Sequence, residues 1–277
     1  MSSKKLWSCI EGIGNSVILE FPFYLADFEY TYMEELRNRI VAYAYMYQGD
    51  WNKIGQALRD HEPYKKIECP YPFVTRFDKA YPVVFQHLRY PPWILFYQGN
   101  LSLCDTACVG IVGSRDCSKE ALENTKVITH ILKQKYTIVS GLAKGIDGQS
   151  HLCSLDKHTI GIIGCGIDVV YPKCNQYLYE EMRRFHLILS EYPPGVAPYP
   201  HHFPWRNRLI AALSSSLIVV EAKYKSGTML TVNECLALHK PIYCLPTSFG
   251  TSSFLGCNYL INQGAYLLGC IEDVEQI

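Results

Sequence analysis

The sequence predicts an α/β protein: a doubly wound, mostly parallel sheet preceded by a small helical module. Three observations predict it. From Ala107 onward, short runs rich in Val and Ile alternate with longer stretches of helical periodicity. Those runs are apolar throughout, as strands covered by helices on both faces are. Most of them end in small or turn-forming residues, Gly113-Ser114, Ser140-Gly141 and Gly164-Cys165-Gly166, where a strand hands over to a helix. At 277 residues the chain is about two domains long, and 48% hydrophobic against 19% charged residues supplies ample material for a core. A disordered polymer is excluded.

In chain order, residues 1–76 read as a helical N-terminal module with a linker rich in Pro and Tyr, and residues 77–277 as the sheet domain. Helical spacing is clearest over 33–47, where Leu36, Ile40, Val41 and Ala44 share a side. A second short helix is expected over 50–58. Between 62 and 93, Pro63, Pro70, Pro72, Pro82, Pro91 and Pro92 deny both helix and central strand. Strands are then expected at 108–112, 137–139, 159–163, 187–189, 217–220 and 242–245, with a helix capped by Ser118 after the first and another over 229–239. In such sheets ligands collect at the carboxyl ends of the strands, so the loops there form the candidate site.

Lys and Arg number 26, as do Asp and Glu, for a formal net charge of zero. A polyanion must therefore meet a local patch instead of a globally basic surface. The apolar stretch after Lys4 and Lys5 is cut at Glu11 and Gly12, and no run approaches the roughly 18 apolar residues of a membrane span. A cytoplasmic protein with no membrane partner is expected. The 12 cysteines lack regular spacing, which favours reduced thiols, with Cys108, Cys165 and Cys244 acting as small hydrophobes. Cys104 and Cys108 have no second pair at zinc-ligand distance, so neither a structural metal nor a cofactor is expected.

Four segments carry chemistry. Gly113, Ser114 and Arg115 follow the first strand, where loop N–H groups and a guanidinium fork suit a phosphate, although glycines at such turns also serve purely steric needs. Gly141, Lys144 and Gly145 repeat the arrangement one strand later. Because Lys144 precedes the second glycine and no Ser or Thr follows it, this is not a P-loop, and ATP hydrolysis is unsupported. The third segment runs from 190–195 into His201–Arg208, with Phe203 and Trp205 beside Arg206 and Arg208. Aromatics next to arginines stack unpaired bases while neutralising phosphates, or else the rings plug the core and the arginines pair with Glu191 or Glu221. His201 and His202 have no nucleophile partner in the sequence, so no catalytic residue is assigned. In the fourth, Lys223, Lys225, Ser226 and Gly227 precede a helix whose N-terminus either receives a phosphate or is plainly capped by Ser226 and Thr228.

Taken in order, GIVGSR (110–115), SGLAKGID (140–147), GCGIDVVYP (164–172), SEYPPG (190–195), HFPWRNRLIAALS (202–214), VVEAKYKSGTMLT (219–231) and GCNYLINQGA (256–265), preceded by YPPWILFYQGNL (90–101), resemble the DNA-processing protein A family over most of the chain. The resemblance implies an extended Rossmann-like domain that binds single-stranded DNA without chemistry on it. It further implies a homodimer that protects incoming DNA and loads the RecA recombinase during natural transformation. Carried over residue by residue, Gly113, Ser114, Arg115, Gly141, Lys144 and Gly145 match the phosphate pocket, and Phe203 matches the base-stacking aromatic. Arg206, Asn207 and Arg208 match the family's R-N-R, and Lys223, Lys225, Ser226, Gly227 and Asn258 complete the expected DNA-binding set. Pro200 stands where some members carry a lysine. Leu260, Ile261 and Leu267, in the apolar stretch 254–268, are the expected dimer interface unless they bury against the sheet. The resemblance ends near Asp273, and the winged-helix domain of longer members is expected to be absent.

The competing class is a nucleotide-processing hydrolase of the lysine-decarboxylase-like phosphoribohydrolase type. Lys225-Ser226-Gly227-Thr228 and Glu234 echo its motif faintly, but the paired glycines are missing and Glu234 lies six residues past Thr228 instead of three. A dinucleotide-dependent oxidoreductase would need a glycine fingerprint and a ribose-binding acid that the chain lacks.

Overall fold

The computed structural model describes residues 23–248 and 254–277, with side chains from residue 31 on; Lys4, Lys5 and Cys9 lie outside the described residues. The chain divides after Arg37 into two units. The described residues of the first belong to the leading part of helix α1 (Phe23–Met46), and the second, from Asn38 to Ile277, holds the sheet. Within this second unit α1 buries Ile40 to Ala44 on all sides, so burial there goes beyond the side marked by Ile40, Val41 and Ala44. A turn with positive φ at Gln48 and Gly49 follows. Asp50 then caps α2 (Trp51–Asp60) by accepting the Lys53 N–H at 3.0 Å.

Among the described residues nine strands form one sheet, in the order β1-β2-β6-β5-β4-β3-β7-β8-β9. They are β1 (Phe73–Thr75), β2 (Ile94–Gly99), β3 (Cys108–Val112), β4 (Thr137–Ser140), β5 (Thr159–Ile162), β6 (Leu187–Ser190), β7 (Leu217–Val219), β8 (Ile242–Cys244) and β9 (Tyr266–Leu267). All ladders from β6 to β9 are parallel, while β2 runs antiparallel to both β1 and β6. This is the expected doubly wound sheet, extended beyond its parallel part. The resemblance implied an extended domain, but the strands of the extension were not assigned from periodicity: β1 follows Pro72 at the sheet edge, where flanking prolines are tolerated. Strand β2 starts one residue after Pro91 and Pro92, pairing Phe96 with Ser190.

The helices α3 (Lys119–Leu132), α4 (Ile146–Cys153), α5 (Gln176–Phe185), α6 (His202–Leu213), α7 (Gly227–Ala237), α8 (Gly256–Asn262) and α9 (Ile271–Glu275) follow in turn. Strand alternation feeds two apolar layers. Val109 and Ile111 of β3 pack with Ile128, Leu132 and Ile146, whereas Cys108 and Val112 join Leu209, Leu213 and Val232. Gly110 lets α6 approach, since a Cβ there would stand 2.6 Å from Ser214 Oγ. Burial pushes the Cys108 thiol up to about 11 and that of Cys165 to about 12, so neither is a nucleophile at neutral pH. Among the described residues no helix is long and apolar enough to cross a membrane.

The winding reverses at β3, with β4, β5 and β6 on one side and β7, β8 and β9 on the other. That reversal opens a crevice at the carboxyl ends of β3, β4 and β7.

Candidate nucleic-acid interface

The loops after β3, β4 and β7 are stitched together at this crevice. Ser114 N–H donates to the Glu221 carbonyl at 2.8 Å, and the Ser114 carbonyl accepts the Ile146 N–H at 3.3 Å. Gly145, at φ +75°, passes so close that a Cβ would lie 2.3 Å from the Ser114 carbonyl. Thr228 Oγ1 donates to the Gly113 carbonyl at 3.1 Å, which ties α7 to the same point. The N-terminus of α3 is already occupied. Ser118 Oγ accepts the Ala121 N–H at 3.0 Å, and the buried Glu221 carboxylate accepts the Ser118 N–H at 3.1 Å. An external anion at this loop therefore meets Arg115 and not the first turn of α3. At α7, by contrast, Ser226 makes no side-chain cap, and its buried Oγ has no hydrogen-bond partner among the described residues.

The R-N-R segment is buried, with Arg206, Asn207 and Arg208 each less than a tenth exposed. Arg206 donates to the carbonyls of Gly141, at 2.8 Å, and Ile162, and its Nε reaches Asn207 Oδ1 at 3.2 Å. Asn207 Nδ2 donates to the Gly227 carbonyl at 3.4 Å. Arg208 grips Glu191 with two bonds of 2.5 and 2.6 Å, lies 4.2 Å from the Trp205 ring centre, and donates to the Tyr90 carbonyl. The three side chains thus fan out from α6 to β4 and β5, to α7, and to the loop after β6. Asp147 sits beside Arg206 at Gly141, where a Cβ would meet both side chains within 2.6 Å. Burial pushes the Asp147 carboxyl up, against the pull of Arg206, Arg115 and the N–H groups of Gly141 and Gly113. Burial likewise pushes Arg206 down, and Asp147 opposes that.

The exposed part of the crevice is different in character. The Arg115 guanidinium lies 5.3 Å from the centre of the Phe203 ring, whose other neighbour is Tyr171, at 5.5 Å and a 38° tilt. Phe203 rests on Gly164, where a Cβ would come within 3.2 Å of its ring. Arg115, Lys144, Lys223 and Lys225 are all exposed. The Lys223 ammonium lies 5.4 Å from the Phe254 ring centre. Asn258 spends its side chain on Thr247, accepting its N–H at 2.8 Å and donating to its carbonyl at 3.3 Å. Residues that sequence reasoning did not single out are Tyr171, Asp147 and the anion-capping role of Glu221. All three lie within motifs quoted above, and only the fold reveals which neighbours they meet.

Of the expected interface residues, Leu260 is buried in the core and Ile261 packs half-buried against it, while Leu267 on the edge strand β9 is 50% exposed beside exposed Tyr266 and Ile271.

A mostly parallel sheet whose switch point gathers glycine loops, exposed cations and a tilted ring pair defines an extended Rossmann-like α/β protein. The model of the DNA recombination-mediator protein A family matches residues 72–277, and the chain belongs to that family. It is 40% identical over 206 residues to DNA processing protein DprA of Streptococcus pneumoniae, covering 74% of this chain and 73% of that one. Against the Bacillus subtilis protein of the same name it is 37% identical, covering 71% and 67%. The X-ray structure of the Streptococcus pneumoniae protein superposes with a TM-score of 0.73 at 32% identity, covering 87% of this chain and 95% of that one. A structure of DNA processing protein A from Helicobacter pylori, which describes that protein's single-stranded DNA binding mode, superposes at 0.68 and 32% identity, covering 76% and 95%.

Proposed function

We propose that this protein binds single-stranded DNA at the β3–β4–β7 crevice and acts as a recombination mediator, holding the strand and delivering it without chemistry. The observation that carries the reading is the half-buried Phe203 ring flanked by exposed Arg115 and exposed Tyr171, with exposed Lys144, Lys223 and Lys225 on the loops after β4 and β7. Cations neutralise phosphates, and rings stack bases only when the bases are unpaired. In this reading Gly113, Gly141 and Gly145 let the loops pass close together, the N–H groups of Gly113 and Gly141 being held by Asp147, and Arg206, Asn207 and Arg208 are positioning residues that hold those loops. Ser226 Oγ, buried without a partner among the described residues, is a further donor at the start of α7. The family and the Helicobacter pylori relative support the choice of DNA. RecA as the receiver, a cytoplasmic location, and a homodimer built on the β9 edge belong to the same proposal. The test is a binding titration with single-stranded and blunt duplex oligonucleotides in rising salt. Strong preference for single strands is expected; equal affinity for duplex removes the reading. A parallel incubation with AMP, watched for free adenine, is expected to yield none, and its release would favour the hydrolase class.

A further inference from the structure

A second concavity lies next to the strand site and is not used by it. Its volume is about 490 Å³, within the roughly 300–1,000 Å³ typical of small-ligand sites. The turn between α1 and α2 forms one wall with Trp51, and the segment leading into α6 forms the other with Tyr192, Tyr199, His201, His202 and Trp205. These rings are held from behind. His202 stacks on Tyr192 with centres 3.8 Å apart, Trp205 lies over Arg208, and Trp51 stacks on Trp93 while its indole N–H donates to the Pro91 carbonyl at 2.7 Å. Tyr199 and His201, 16° from parallel, are both exposed. The rim is polar, with Gln48, Asp50, Asn52 and Lys53.

We infer that this groove takes an unpaired nucleobase of the bound strand, one or two nucleotides away from the base stacked on Phe203. The inference rests on the strand-binding reading above. Three features select a base over other occupants. Pre-ordered rings favour a flat π-system, because little freedom is lost when it slides between them. The polar rim suits the hydrogen-bonding edges of a base and would be left unpaired by an aliphatic chain. Arg208 is held by Glu191, and the rim's Lys53 faces Asp50 at 4.0 Å, so the lining carries no net positive charge that would favour a phosphate over a base. Continuity comes from α6, since His202 lines the groove and the next residue, Phe203, belongs to the strand site. His201 to Trp205 spans about 6 Å at 1.5 Å per residue, a separation that neighbouring nucleotides of one unpaired strand can bridge.

Tyr199→Ala combined with His201→Ala removes two exposed rings without touching the core. Affinity of this variant and the unaltered protein is measured by fluorescence anisotropy for strands of about 4 and about 16 nucleotides. The variant is expected to lose about tenfold on the long strand, nothing on the short one, and to keep the same salt slope. Tryptophan emission of the unaltered protein should be quenched more by the long strand than by the short, and less so in Trp205→Phe. Equal affinity of variant and unaltered protein for the long strand overturns the inference while leaving strand binding intact. Failure of both strands to bind the unaltered protein overturns the underlying reading and this inference with it. Quenching by free deoxyadenosine monophosphate as strong as by the long strand, at equal base concentration, overturns the assignment to the strand in favour of a free nucleotide.

Discussion

Arg208 and Glu191 form a buried ion pair that positions the proposed strand site from within. Both side chains are about 5% exposed and joined by two short bonds. Removing one partner leaves the other charge buried and alone. Arg208→Ala should therefore cost about 3–5 kcal/mol of stability in chemical denaturation. An exposed DNA-contacting arginine would cost almost none. Three histidines make a pH prediction: burial lowers His151 to about 3 and His202 to about 4, and lowers His186 as well. In the unfolded chain each titrates near 6.5, so below that pH the unfolded state binds more protons. Stability is full above about pH 6.5 and falls with acidification towards the folded values, by up to about 1.4 kcal/mol per pH unit for each histidine. His151→Asn should flatten the slope of denaturation midpoints between pH 7.5 and 5. Asp147, whose raised value gives a slope of opposite sign, is common to both proteins and cancels in the comparison.

At the scale of elements, the tightest constraint is the crossing of the β4 loop over the β3 loop. Gly145→Ala would combine a positive φ with a Cβ against the Ser114 carbonyl, costing about 1–3 kcal/mol in strain and shifting the loop. Strand affinity and thermal midpoint should fall together in this variant. Strands β3 to β8 were legible because central parallel strands must be apolar on both faces and end in tight turns. Strands β1 and β2 were not, since the prolines around them signal coil equally well, and only pairing with β6 makes β2 a strand. Two-residue β9 carries no periodicity at all. The site divides the same way: the loops were readable from glycines and cations, but the direction of Arg206 and Arg208 was not. Helix α6 is buried from Arg206 to Leu213, so no amphipathic stripe tells which side chains turn inward.

At the scale of the molecule, zero net charge means that the proposed strand binding rests on the exposed cations of the loops after β3, β4 and β7. In the proposed homodimer the edge strand β9, with exposed Tyr266 and Leu267, is the face offered to a second copy. Light scattering should give about twice the 31.6 kDa chain mass, and Leu267→Glu should give a monomer that still binds strands but stimulates RecA less on coated single-stranded DNA, because bivalency is lost. A monomeric unaltered protein would remove the interface proposal. The central claim, that Arg115 neutralises phosphate while Phe203 stacks a base at one crevice, is tested most directly by single-strand affinity against salt for both alanine variants. Arg115→Ala should flatten the slope of log K against log salt by about 0.7 for each lost phosphate contact. Phe203→Ala should cost about 1–3 kcal/mol with the slope unchanged. Identical salt responses in the two variants, or affinity untouched in both, would contradict the account.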